Sequence, residues 1–280
     1  MVIKELKKKC YSKLSGLYPI TEIDSFFFIL MDDCFNLKRV DIALQLNEKI
    51  QDYNRFLTLI DQLADKKPIQ YLIGKTSFFG LDFKVNNSVL IPRPETEELA
   101  AWIINDTDNK KEIRILDIGT GSGCIAISLA NELKQALVSA LDISNKALII
   151  AKENASLNNV NISFIEDNIL NSTTIFQNKF DVIVSNPPYV RKLEKVEMDD
   201  NVLNNEPHLA LFVSNDNPLL FYSAIANFAL KNLHAKGKLY FEINQYLGNE
   251  TVQLLKNKGF KNIILKKDIF NNNRMIRASI

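Results

Sequence analysis

The chain has 280 residues, with 34 Lys and Arg against 33 Asp and Glu, a net charge of +1. That balance excludes a general electrostatic pull toward nucleic acid, and 46% hydrophobic with 24% charged residues excludes a disordered chain. Length allows one large or two modest domains. No apolar run reaches a bilayer's thickness, because Phe26–Leu30 is bounded by Asp24 and by Asp32-Asp33, so no membrane association is expected. Lys4, Lys7, Lys8 and Lys9 make a basic start without the apolar stretch of a secretory signal. Cys10, Cys34 and Cys124 are odd in number and scattered, which fits neither a disulfide framework nor a metal site and points to a cytoplasmic location.

Residues 1–75 carry apolar residues at helical spacing: Leu6, Cys10, Leu14 and Leu17, then Ile23, Phe27, Leu30 and Cys34. Val40 through Leu46 and Phe56, Leu57, Ile60, Leu63 and Ala64 continue the pattern. Four or five short helices are predicted, the last ended by Pro68, forming a separate helical domain. Its lysines read as a solvated face, or as part of a docking platform for a large substrate. Over 76–95, Phe79, Leu81, Phe83 and Val85, then Val89 and Ile91, alternate about the turn Asn86-Asn87-Ser88, which predicts a linking β-hairpin. From residue 96 to 280 strands alternate with helical segments, the pattern of an α/β doubly wound sheet. Tyr71 and Trp102 read as core residues near the junction of the domains.

Glu112–Asp117 reads as a strand, followed by Ile118-Gly119-Thr120-Gly121-Ser122-Gly123 and a helical run from Cys124. Strand, glycine loop and helix form a cofactor loop whose backbone a ligand can approach closely. A dinucleotide fingerprint requires a third glycine where Cys124 stands, and no Lys-Ser/Thr pair follows to make a P-loop. The acid Asp117 suits a cationic ligand with an amino group, such as S-adenosylmethionine. The next strand, Ala136–Leu141, runs into Asp142, 25 residues after Asp117, where an acid accepts from ribose hydroxyls. One strand later come Asp167 and Asn168, placed to face an adenine edge. Each acid also reads as a helix N-cap, Asp142 before Ile143-Ser144-Asn145 in particular.

Phe180–Ser185 is a further buried strand, and it ends in Asn186-Pro187-Pro188-Tyr189. Two prolines remove two donors and stiffen the turn. The Asn186 side-chain oxygen and the Pro187 carbonyl can accept the two hydrogens of a planar nitrogen group, with the Tyr189 ring against its flat face. The plain alternative is a proline-rich turn leaving a core strand.

Residues 117–123, Asp142 and 186–189 together resemble the class I S-adenosylmethionine-dependent methyltransferases. Pro68–Gly74, Phe78–Phe83 and Leu90–Glu97 narrow the resemblance to the peptide chain release factor glutamine methyltransferases. It implies a Rossmann-like methyltransferase domain and methylation of the Gln amide in the Gly-Gly-Gln loop of release factors. S-adenosyl-L-methionine is then the cofactor, with no metal. The resemblance carries cofactor binding to Asp117, Gly119, Thr120, Gly121, Ser122, Gly123, Asp142, Asp167, Asn168 and Asn186. It carries substrate binding to Asn186, Pro187, Pro188 and Tyr189, and catalysis to Asn186, Pro187 and Tyr189. Arg93 and Glu95 are placed by it at the pocket. Two positions depart from the family: Asn168 where an aromatic is common, and Glu242-Ile243-Asn244-Gln245, shortened and lacking a glycine. His208, after Glu206-Pro207, is a minor candidate general base. Partners implied are release factors as protein substrates, no nucleic acid as direct substrate, and a monomeric chain. Methylation of a ribosomal-protein Gln, or of an exocyclic amine in DNA or rRNA, stays open, as does a non-catalytic binding module.

Overall fold

The computed structural model describes residues 1–108 and 111–280. They form two compact units, Met1–Gly74 with Asp199–Asn205, and Lys75–Met198 with Glu206–Ile280. The first unit opens with α1 (Ile3–Leu14), α2 (Ile20–Phe35), α3 (Arg39–Leu44), α4 (Asn54–Ala64) and α5 (Ile69–Ile73). Its core is the stripe Ile3, Leu6, Cys10 and Leu14 of α1, set against Ile23, Phe27 and Leu30 of α2 and Phe56, Ile60 and Leu63 of α4. The apolar reading fails at Leu17, Val40, Leu44 and Leu46, which are exposed. Helix α3, which carries Val40 and Leu44, buries only Ile42. Pro68 does not end a helix; it leads into α5, because a residue without N–H fits just before a first turn.

The second unit begins with a two-stranded hairpin, β1 (Lys75–Phe78) and β2 (Leu81–Lys84). This corrects the predicted hairpin. Phe78 pairs directly with Leu81, so the turn is Phe79-Gly80, with both residues at positive φ (51° and 74°). That is the twist a two-residue hairpin needs, reached here with a bulky residue in place of the usual Asn or Asp. The Phe79 N–H is held by Glu97 Oε1 at 2.8 Å. Val85, Val89 and Ile91 are buried but pair with no strand; their alternation marks burial, not a ladder.

There follow α6 (Pro94–Asn105), β3 (Ile113–Ile118), α7 (Cys124–Glu132), β4 (Ala136–Asp142), α8 (Asn145–Leu157), β5 (Ile162–Glu166) and β6 (Phe180–Ser185). After β7 (Val190–Arg191) and α9 (Asp200–Asn205, part of the first unit) come α10 (His208–Leu211), β8 (Phe212–Val213), α11 (Leu220–Asn232) and β9 (Leu233–Glu242). The chain closes with α12 (Gly248–Asn257), β10 (Lys261–Lys267) and β11 (Asn273–Ser279).

Among the described residues the main sheet has seven strands in the order β10-β11-β9-β6-β3-β4-β5. Strands β9, β6, β3, β4 and β5 are parallel, and at one edge β11 runs antiparallel between β9 and β10. Side chains alternate across it as the pleat requires. Ile115, Val182, Val184 and Tyr240 face a layer holding α6, α7 and the hairpin, while Leu116, Ile183, Leu239 and Phe241 face α11 and α12. Both faces are covered, which is why the central strands are apolar throughout. No helix among the described residues is long and apolar enough to cross a membrane.

Candidate active site

The chain leaves β3 toward β4 and β5 on one side, and later enters β6 and β9 on the other, so β3 and β6 flank the sheet's topological switch point. Ligands of doubly wound sheets bind at that place, beyond the carboxyl ends of the strands. Ile118 and Ser185 are register partners, and Ser185 Oγ donates to the Ile118 carbonyl at 2.6 Å. The glycine loop and the Asn-Pro-Pro-Tyr turn therefore leave the sheet side by side. A cavity of about 400 Å³ opens above them, lined by Gly119–Ser122, Asp142, Asp167, Asn168 and Asn186–Pro188, with Leu90–Arg93, Pro207, Leu209 and Ala210 also on its wall.

Loop conformation explains the glycines. Gly121 sits at φ 56° with open space where a Cβ would project. Gly123 does a different job: at φ 83°, a Cβ there would meet Ile127 Cδ1 at 2.9 Å and Ala151 Cβ at 3.2 Å. It caps α7 and lets α7 approach α8; it is not on the cavity wall.

The three acids separate by environment. Asp142 accepts from Gly121 N–H at 2.8 Å and Ser144 N–H at 2.9 Å, so it ties the glycine loop to the end of β4. Burial raises its pKa above the ordinary value, against those two donors. The cap of α8 is Ser144, whose side chain accepts from Ala147 N–H, and the N-cap reading of Asp142 is set aside. Asp167 is on the wall and accepts from the hydroxyls of Ser172 (2.6 Å) and Thr174 (2.5 Å). Burial pushes its carboxyl upward, but these hydroxyls leave it below its ordinary range. Asp117 is fully buried beneath the loop and off the wall. Its Oδ2 accepts from Thr120 at 2.6 Å, its Oδ1 has no partner, and burial lifts its pKa from 3.8 to about 7. Asn168 lies on the wall, its Oδ1 turned back onto Leu170 N–H.

At the turn, Asn186 Nδ2 donates to Thr96 Oγ1 at 3.3 Å, and Thr96 Oγ1 donates to Glu242 Oε2 at 2.6 Å. Tyr189 is not on the cavity wall. Its hydroxyl donates to Glu242 Oε1 at 3.1 Å, and burial together with the Glu242 carboxylate holds the phenol well above its usual range. The hydroxyl end of Tyr189 thus ties the turn to Glu242. Asn244 Nδ2 donates to the Tyr189 carbonyl at 3.0 Å and to Glu194 Oε2 at 2.9 Å. The departure from the family pattern at Glu242–Gln245 therefore supplies a prop for this same turn.

Of the other candidates, Arg93 is on the wall and paired with buried Glu206, which also accepts from Ile91 N–H at 3.3 Å. Glu95 and His208 are not on the wall; the His208 ring packs edge-on against Phe212 at 5.2 Å. Trp102 is half-buried, edge-on to Tyr240 at 5.6 Å. Thr96 and Glu242 are site residues that sequence reasoning misses. Their one faint signal is a polar residue in the first turn of a helix and an acid at the end of an apolar strand, each buried.

The residues present fit a nucleoside cofactor bearing positive charge. Gly121 leaves open the space a side chain would fill, and the buried Asp142 carboxylate is on the wall. Comparison with known proteins agrees. The family described as Methyltransferase small domain matches residues 100–211, and PrmC N-terminal domain matches residues 12–74. A release factor glutamine methyltransferase of Flavobacterium psychrophilum is 52% identical over 284 residues, covering 100% of this chain and 99% of that protein. One of Bacteroides thetaiotaomicron is 39% identical over 268 residues, covering 95% and 96%. Among solved structures, a Thermus thermophilus 16S rRNA N2 G1207 methyltransferase in complex with AdoMet and guanosine shares the fold. Its TM-score is 0.52 at 18% identity, covering 73% of this chain and 49% of that one. With a glycine loop and an Asn-Pro-Pro-Tyr turn meeting at the switch point, and a relative 52% identical along its whole length, this chain belongs to the release factor glutamine methyltransferase family.

Proposed function

We propose that the chain transfers the methyl group of S-adenosylmethionine to the side-chain amide nitrogen of the glutamine in the Gly-Gly-Gln loop of peptide chain release factors. The observation that carries this reading is the state of the Asn186-Pro187 turn. Asn186 Nδ2 is engaged by Thr96, while neither Asn186 Oδ1 nor the Pro187 carbonyl has a hydrogen-bond donor among the described residues. Two acceptors beside a cofactor-sized cavity match the two N–H groups of a primary carboxamide.

An amide nitrogen is a weak nucleophile because its lone pair is delocalised into the carbonyl. When bound, S-adenosylmethionine supplies a methyl group on a positively charged sulfur that departs as a neutral thioether. Asn186 Oδ1 and the Pro187 carbonyl fix the substrate nitrogen, aim it at the cofactor side of the cavity, and spread the positive charge that grows on it. The N–H proton becomes acidic only as the N–C bond forms, and it leaves to water. Asp142 holds the ribose hydroxyls and Asp167 with Asn168 the adenine edge, while Gly119–Ser122 form the floor. Asp117, Gly123 and Tyr189 act from below, holding loop and turn in shape. The helical unit docks the release factor away from the glutamine, since one side chain offers too little area for selectivity. A balanced net charge supports a protein over a nucleic acid as substrate. We place the chain in the cytoplasm as a monomer.

Mass spectrometry of a release factor incubated with the protein and S-adenosylmethionine tests the reading. A methyl group located on the Gly-Gly-Gln glutamine, and lost with Asn186→Ala, is the expected result. An unmodified peptide from protein that binds cofactor overturns the substrate.

A further inference from the structure

We infer that Thr96 and Glu242 are positioning residues that set which way the Asn186 amide faces, turning its oxygen toward the substrate. Thr96 has one hydroxyl proton, and Glu242 Oε2 lies 2.6 Å from it in a fully buried setting. A carboxylate is the stronger acceptor, so the proton is committed to Glu242. What Thr96 Oγ1 then offers Asn186, 3.3 Å away, is lone pairs alone, and only the NH2 end of the amide is attracted to them. The oxygen must lie on the opposite side. With the amide reversed, Asn186 Oδ1 would face the lone pairs of Thr96, and the NH2 group would meet the N–H donors of the incoming carboxamide. Both contacts would be repulsive.

The relay has a fixed anchor. Glu242 has its other oxygen bound by Tyr189; burial raises its pKa above the ordinary value, and the hydroxyls of Thr96 and Tyr189 together with the Arg274 charge oppose that rise. Arg274 is itself held by Asp268, Nε to Oδ2 at 3.0 Å. Thr96 is 90 residues from Asn186 and 146 from Glu242, so three distant parts of the chain converge on one amide.

The inference rests on the reading of Asn186 as the acceptor for the substrate N–H. The test measures kcat for release-factor methylation, with S-adenosylhomocysteine binding by calorimetry as a control, in Thr96→Val, Thr96→Ser, Asn186→Ala and the Thr96→Val/Asn186→Ala double variant. Thr96→Val is expected to lower kcat by about a hundredfold while cofactor affinity holds, the scale of a misplaced reacting group. Thr96→Ser, which keeps the hydroxyl, restores most of kcat. In the Asn186→Ala background Thr96→Val adds no further loss. Full activity of Thr96→Val, or additive losses in the double variant, overturns the relay while leaving the substrate reading intact. An Asn186→Ala protein as active as the parent overturns that reading instead. If Thr96→Val does not fold, the unsubstituted protein decides by NMR of the Asn186 side-chain amide. One of its two protons exchanging slowly with solvent supports the relay, and two exchanging equally fast overturn it.

Discussion

Ser185 Oγ donates a 2.6 Å hydrogen bond to the carbonyl of Ile118, joining the last residues of the two strands that carry the site. Both groups are buried, so removing the hydroxyl strips a partner from a carbonyl that water does not reach. Ser185→Ala is expected to lower stability by about 1–3 kcal/mol, read as a shift in the urea unfolding midpoint. Cofactor affinity should fall with it, because the glycine loop loses its tie to the turn.

Asp142 serves two N–H donors on different loops at once. An Asn at this position keeps the shape but turns an NH2 group toward one of them. Asp142→Asn is expected to weaken S-adenosylhomocysteine binding by about tenfold to a hundredfold, the equivalent of about 1–3 kcal/mol, measurable by calorimetry.

Asp117 predicts a pH dependence of stability. Its pKa rises from 3.8 to about 7 on folding, because burial penalises the carboxylate more than Thr120 favours it. A raised carboxyl pKa contributes stability that is present below the unfolded value and is lost as pH rises through about 7. Between about pH 5.5 and pH 8 the protein should therefore lose about 2 kcal/mol from this group, and Asp117→Asn should lose none of that share. Thermal melts of both proteins across the range give the comparison, the gap moving in favour of the variant at the alkaline end.

Arg93 and Glu206 join the Leu90–Arg93 wall of the cavity to the wall that holds Pro207, Leu209 and Ala210. Glu206 is the buried partner, while a third of the Arg93 side chain is exposed. Arg93→Ala leaves a buried carboxylate with one N–H donor, and the loss should stay below the about 3–5 kcal/mol of a fully buried pair. Adding Glu206→Gln should restore much of it, checked by denaturant unfolding of the single and double variants.

Short-range patterns make the cofactor half of the site legible in the sequence. Gly119 to Gly123 and Asp142 lie on consecutive elements, and the apolar strand ahead of Asn186 announces where the turn emerges. The hairpin is harder to place because its turn uses Phe79 at φ 51°, a conformation that residue type does not advertise. Asp142 and Ser144 are equally plausible caps by residue type, and only geometry separates them. Nothing local to Tyr189 reveals the Glu242 carboxylate that its hydroxyl meets, 53 residues away in sequence. Thr96 stays hidden for the same reason: its partners belong to distant parts of the chain.

These sequence separations order the events of refolding. The loop–acid contact between Gly121 and Asp142 closes over 21 residues, whereas the Thr96–Glu242 contact spans 146. Closing the longer loop loses more chain entropy before any contact rewards it, so such pairings form late. Refolding is therefore expected to tie the glycine loop to Asp142 before it orients Asn186. Turnover is then expected to return later than the contact between Gly121 and Asp142 does.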